Sequence, residues 1–109
     1  MSSDTKPPAY LVVCGKFLSG DGAKEYAKRA AKPATESGLT PIARGDLSRN
    51  VEILEGELPF DGFLAIERFD SMDALKGFWY SDEYQSAIPF RKDAVKMHFV
   101  AAVDGIAES

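Results

Sequence analysis

The stretch Phe63–Ser86, FLAIERFDSMDALKGFWYSDEYQS, changes its hydrophobic period midway, and no other feature limits the fold as much. Through Phe69 it reads as a β-strand. Beyond Asp70–Ser71, the residues Met72, Leu75, Phe78 and Trp79 recur at the spacing of one helical face. Asp70 or Ser71 is suited to cap that helix. Ser81 is placed to cap a further turn, with Asp82 and Glu83 set against its dipole. Pro89 then breaks the pattern.

The rest of the chain falls into place around this strand-to-helix unit. Ala9–Phe17, AYLVVCGKF, is apolar on both rows of a strand: Leu11, Val13 and Phe17 on one, Tyr10, Val12 and Cys14 on the other. Ser19–Gly22 breaks it, and Asp21 is an expected N-cap. Ala23, Tyr26, Ala27, Ala30, Ala31 and Ala34 then recur at helical spacing opposite a charged side, giving an Ala-rich face suited to lying close on a sheet. Pro33 predicts a kink or early end, and Gly38 a stop. Leu39–Arg44 and Val51–Leu54 are short β-like runs joined by an irregular turn, GDLSRN. A second turn containing Pro59 leads into Phe63. The last strand is expected over Val95–Val103, apolar on both rows apart from Lys96 and His98.

The order is β-α-β-β-α-β, which predicts an α+β, ferredoxin-like sandwich with a four-stranded antiparallel sheet. The expected organisation is a flexible tail over residues 1–8, one domain over 9–105 and a C-terminal tail over 106–109. Two helices cover one sheet face. The other face, about 440 Å² from strand spacing and rise, is as large as the apolar patches of roughly 300–600 Å² that monomers leave exposed. A second copy packed sheet to sheet is the expected cover, so a homodimer is predicted.

Charge and composition remove several classes. A net charge of -4 argues against a nucleic-acid partner. No apolar run approaches the roughly 20 residues of a membrane span, and the N-terminal MSSDTKPP has no signal-peptide core. The lone Cys14 has no intrachain disulfide partner, which fits a reducing cytoplasm.

Several short motifs, in order, resemble a known family. They are AYLVV, Tyr26, Ala43-Arg44-Gly45, Val51-Glu52-Ile53-Leu54-Glu55-Gly56, Phe69-Asp70-Ser71-Met72, Trp79–Gln85 and Phe90-Arg91. Together they resemble the family catalogued as domain of unknown function 1330, in the dimeric α/β-barrel superfamily, over about residues 9–105. The resemblance implies two ferredoxin-like protomers with their sheets facing across a central cavity. It implies no activity. Superfamily relatives include cofactor-free oxygenases, haem-degrading enzymes, lactone isomerases and polyketide cyclases, and some family members belong to secondary-metabolite pathways such as those of prodigiosin-type pigments. One departure stands out: the family usually has Glu directly before its Phe-Pro-Ser turn, where this chain has Arg68. The neighbouring Glu67 faces the other side of the strand by alternation.

The candidate chemistry is sparse. His98, the single histidine, is a candidate general base or a histidine at a sheet end or dimer seam. Arg44 is suited to a substrate carboxylate or enolate, or to a salt bridge with Glu52 or Glu55. Tyr10, with these two, completes a candidate catalytic set. Arg68, Trp79 and Tyr84 are candidate substrate-binding residues, the aromatics serving equally as core or interface. Arg91 reads as an anchor for the segment after Pro89. One histidine and one cysteine offer no metal-site spacing, and no cofactor is expected. Two functions remain: a cofactor-independent cyclase, isomerase or oxygenase-like catalyst acting on a small hydrophobic or aromatic metabolite in secondary metabolism, or a non-catalytic protein that sequesters such a metabolite or supports a partner enzyme.

Overall fold

A computed structural model describes residues 6–18, 20–57 and 62–107. The first five residues of the expected tail, Ser19, the turn around Pro59 and the last two residues lie outside it. The elements run β1 (Ala9–Phe17), α1 (Gly22–Glu36), β2 (Thr40–Asp46), β3 (Phe63–Phe69), α2 (Met72–Trp79), α3 (Asp82–Ala87), a short 3-10 turn (Ile88–Arg91) and β4 (Val95–Asp104). The strands form one antiparallel sheet in the order β2-β3-β1-β4, the ferredoxin-like arrangement.

The period change at Asp70–Ser71 acts as the pattern predicts. Ser71, in extended conformation, accepts a hydrogen bond from the Ala74 amide and starts α2. Ser81 does the same for α3 through the Tyr84 amide. Phe69 is fully buried beneath α2, its ring 5.5 Å from that of Phe78, and Leu75 lies beside them in the same core. Burying each such side chain contributes about 1.5–3 kcal/mol.

Three local expectations are corrected. Asp21 precedes α1, but its side chain makes no capping bond. Pro33 does not end α1, which runs three residues further to Glu36. The missing proline amide costs one helical bond in the final turn. That turn is then closed by Leu39 donating to the Ala34 carbonyl and Gly38 to Thr35, with Gly38 at φ +75°. Val51–Leu54 is not a strand. The amides of Arg49, Asn50 and Val51 all converge on the Asp46 carbonyl, folding the chain back on itself, and Leu54 is left exposed.

Two bulges set which side chains face the helices. Between Pro41, opposite Glu67, and Ala43, opposite Ile66, β2 carries one extra residue, Ile42. Between Met97, opposite Gly15, and Phe99, opposite Cys14, β4 carries one extra residue, His98. An extra residue shifts every side chain beyond it to the other row. Leu11, Val13, Ala65, Glu67, Met97 and Val100 consequently share the helix side with Arg44. Tyr10, Val12, Ile66, Arg68 and Val103 take the opposite, open face, Tyr10 standing between Arg68 and Val103.

Candidate functional site

A cavity of about 710 Å³ separates the sheet from the helices. It exists because the inner face of α1 is built from small side chains. Ala23, Ala27, Ala30, Ala31 and Ala34 wall the space instead of lying close on the sheet as their pattern suggests, while α1 itself packs on α3 and the 3-10 turn. Leu11, Val13, Phe63, Val95, Met97 and Val100 line the sheet side, so most of the wall is apolar. The size and character suit a small organic molecule. The exposed Arg44 and Arg49 lie at its rim beside β2.

Besides Asp46 and Arg49 on the β2 side, two polar groups interrupt that wall. The first is Glu67 on β3, with its side chain 19% exposed. Burial pushes its carboxyl above the ordinary carboxylate range, and the positive charge of Arg44, Nη2 to Oε2 4.0 Å, only partly opposes this. Arg44 reaches it because of the bulge at Ile42: counted by strict alternation from Pro41, Arg44 would face away. The carboxylate partner of Arg44 is therefore Glu67, not Glu52 or Glu55.

The second group joins three elements. Tyr26 of α1 and Tyr84 of α3 share a hydrogen bond between hydroxyls, 2.8 Å apart. Arg91, at the end of the 3-10 turn, donates from Nη1 to the Tyr84 hydroxyl at 3.1 Å and sits 5.4 Å from the Tyr26 ring centroid. Tyr84 is held by its cap, since its own amide is the one bonded to Ser81 Oγ, which in turn donates to the Phe78 carbonyl. Its ring packs tilted against those of Phe78 and Trp79, with centroids 4.3 Å and 5.3 Å away. Burial first, then the neighbouring Tyr26, pushes the Tyr84 phenol well above its usual range, so it remains a neutral hydroxyl.

The six residues expected from sequence divide between the two faces of the sheet. Arg44, Trp79 and Tyr84 line the cavity. Tyr10 and Arg68 pair with each other on the open face, where Arg68 also bonds Asp70 at 2.8 Å. His98 is the bulged residue of β4 and lies off the cavity wall. The set His98, Arg44 and Tyr10 is therefore not brought together within one protomer, nor does the cavity hold Arg68. Glu67 and Arg91 are additions. Glu67 was legible, because Phe63, Ala65, Glu67 and Phe69 form one strand row with a single acid. Arg91 carried no comparable signal. Cys14 is buried, and that burial pushes its thiol up. Among the described residues no cluster of His, Cys, Asp and Glu is placed to hold a metal ion, and no helix is long and apolar enough to cross a membrane.

Solved structures share this architecture. A protein of unknown function from Rhodopseudomonas palustris superposes with a TM-score of 0.70 at 14% identity, covering 94% of this chain and 85% of its own. A dimeric ferredoxin-like protein of unknown function from Thermobifida fusca gives 0.51 at 12% identity, covering 94% and 92%. At such identities the likeness is one of fold. No curated protein matches the sequence. The model of the family described as domain of unknown function (DUF1330) matches residues 8–106, nearly the whole ferredoxin-like unit, and the chain belongs to that family.

Proposed function

We propose that this protein is a small-molecule catalyst that works without a cofactor, as a homodimer, moving a proton on a small apolar or aromatic substrate held in the cavity between sheet and helices. The observation that carries the reading is Glu67, a half-buried acid of raised pKa in a mostly apolar wall, with Arg44 beside it. A carboxylate whose pKa is raised by burial is a stronger base than a free one, which suits a general base. In this reading Glu67 takes a proton from a carbon next to a carbonyl, and the electron pair left behind moves onto the carbonyl oxygen. Arg44 stabilises that enolate with its fork of donors. Where the enolate is conjugated to a further double bond, return of the proton at its far carbon gives an isomerase. Attack of the enolate carbon on a second carbonyl, whose electron pair moves onto its oxygen and takes back the proton from Glu67, gives a cyclase. The family resemblance supports a setting in secondary metabolism.

The open sheet face supports the dimer. Phe99, Val103 and Ile42 are exposed there or at its edge, with Val12 and Ile66 between them, and the Thermobifida fusca protein of the same fold is dimeric. Tyr10, Arg68 and His98 then belong to the seam between protomers. The second reading, a non-catalytic metabolite carrier, uses the same cavity with Glu67 and Arg44 as orienting groups only.

Trp79 is the single tryptophan and lines the cavity, so its fluorescence reports occupancy. A panel of aryl ketones and β-keto acids is expected to change that fluorescence saturably in the native protein and more weakly in Ala30→Leu, whose larger side chain takes part of the cavity. Bound members are then incubated in deuterated water. Protein-dependent exchange of the proton next to the carbonyl, lost in Glu67→Gln, is the expected result. Binding without exchange overturns catalysis in favour of the carrier, and no saturable response overturns both.

A further inference from the structure

We propose that the ligand of this cavity is an apolar or aromatic carboxylic acid, its carboxylate received by Arg91 together with the Tyr26–Tyr84 hydroxyl pair. The inference rests on the cavity being a small-molecule site and specifies what that site accepts. Arg91 is 7% exposed, yet it lines the cavity. Among the described residues no carboxylate lies within ion-pair distance of it: the ion pairs formed are Lys6–Asp73, Arg29–Glu25, Lys32–Glu83, Arg44–Glu67 and Arg68–Asp70. A guanidinium stays protonated wherever it is placed, and burying it without a counter-charge is costly. Its one side-chain bond, to the Tyr84 hydroxyl, uses a single donor of five.

The hydroxyls lead to the same ligand by counting. Tyr26 and Tyr84 together own two hydroxyl protons, and the bond between them consumes one. Arg91 donates to Tyr84, so it takes up neither. Whichever tyrosine donates to the other, one hydroxyl proton remains for an acceptor. A cation with spare donors and a spare hydroxyl therefore meet at one end of an apolar space. A carboxylate satisfies both: the guanidinium fork takes its two oxygens and the hydroxyl adds a third donor. The rest of the molecule extends along the alanine face of α1, and Glu67 lies near enough to the cluster for its charge to act on the Tyr84 hydroxyl. A purely structural Arg91, tying the 3-10 turn to α1 and α3, would leave any preference for a charged ligand to Arg44 and Arg49, and that preference would survive the removal of Arg91.

That difference is the test. Benzoate, cinnamate and naphthoate, each against its uncharged carboxamide, are titrated by calorimetry into the full-length protein. The acid of at least one pair is expected to bind ten-fold or more tighter than its amide, with the preference falling as salt rises. Arg91→Met is expected to abolish the preference while changing amide affinity less than two-fold, and Arg91→Lys to retain part of it. Equal binding of acid and amide by the native protein overturns the carboxylate assignment and leaves the cavity reading standing. So does a preference that survives in Arg91→Met. If neither acids nor amides bind, and Trp79 fluorescence is unmoved, the cavity reading fails with it. If the Arg91 variants do not fold, the Arg44→Met/Arg49→Met double variant decides: a preference that survives there supports Arg91, and one that is lost with those two arginines overturns the assignment.

Discussion

Replacing Tyr84 by Phe removes one oxygen from the centre of the polar cluster and leaves the ring in place. The ring is 3% exposed and keeps its contacts with Phe78 and Trp79, so no cavity is made and little transfer energy is lost. What is lost is a hydroxyl bonded at 2.8 Å to Tyr26 and at 3.1 Å to Arg91. A bond from a charged donor contributes about 1.5–3 kcal/mol, and a neutral one about 0.5–1.5 kcal/mol. The buried guanidinium also loses its one side-chain acceptor. Part of this returns because Phe is easier to bury than Tyr, so the expected net loss is about 2–3 kcal/mol. For a domain of this size that lowers Tm by on the order of 8–15 °C. Thermal unfolding followed by circular dichroism at neutral pH measures it, with the exposed Tyr80→Phe as a control expected to be silent. Tyr26→Phe and the double variant complete a cycle, and the two single effects are expected not to add. A Tyr84→Phe loss below about 0.5 kcal/mol would show that the cluster contributes nothing net and refute the reasoning.

Glu67 gives a pH-dependent outcome. Its folded carboxyl binds a proton more tightly than the unfolded one, whose ordinary value is 4.5, so the folded state holds more protons as pH rises through that range. Stability therefore falls with rising pH by about 1.4 kcal/mol for each tenfold difference in proton affinity. Below the ordinary value both states are protonated and the penalty vanishes. Glu67→Gln is expected to match the native protein in urea unfolding at pH near 4 and to exceed it at higher pH, the difference growing as pH rises through the folded carboxyl's titration and then levelling off. A constant or opposite difference argues that Arg44 fully compensates the buried charge. For the sheet seam, Ile66→Lys places an ammonium group on the open face. Sedimentation is expected to give a dimer for the native chain and a folded monomer for the variant, and a native monomer at micromolar concentration removes the dimer.

Local periods made much of this protein legible. The two-residue alternation of Ala9–Phe17 and Phe63–Phe69, the switch at Asp70–Ser71 and the caps Ser71 and Ser81 are short-range rules, and the structure follows them. The order of elements then leaves few topologies, and the ferredoxin-like sheet is the one adopted. The family was likewise readable, since it is carried by residues spread along the chain at fixed spacings.

The candidate site depended on what local rules do not encode. Which row of a strand faces the helices changes by one step at each bulge, and the bulges at Ile42 and His98 arise from pairing with distant strands. They turn Arg44 into the cavity and leave His98 outside it. The alanines of α1 predicted a close fit on the sheet, yet packing of α1 on α3 and the 3-10 turn leaves their faces lining open space. Arg91 became a candidate site residue only because Tyr26 and Tyr84, 58 positions apart, meet around it. Sequence determined the elements and their order, because those follow from each residue's near neighbours. The cavity and the charge within it were decided by contacts between elements, where burial sets the cost of every polar group.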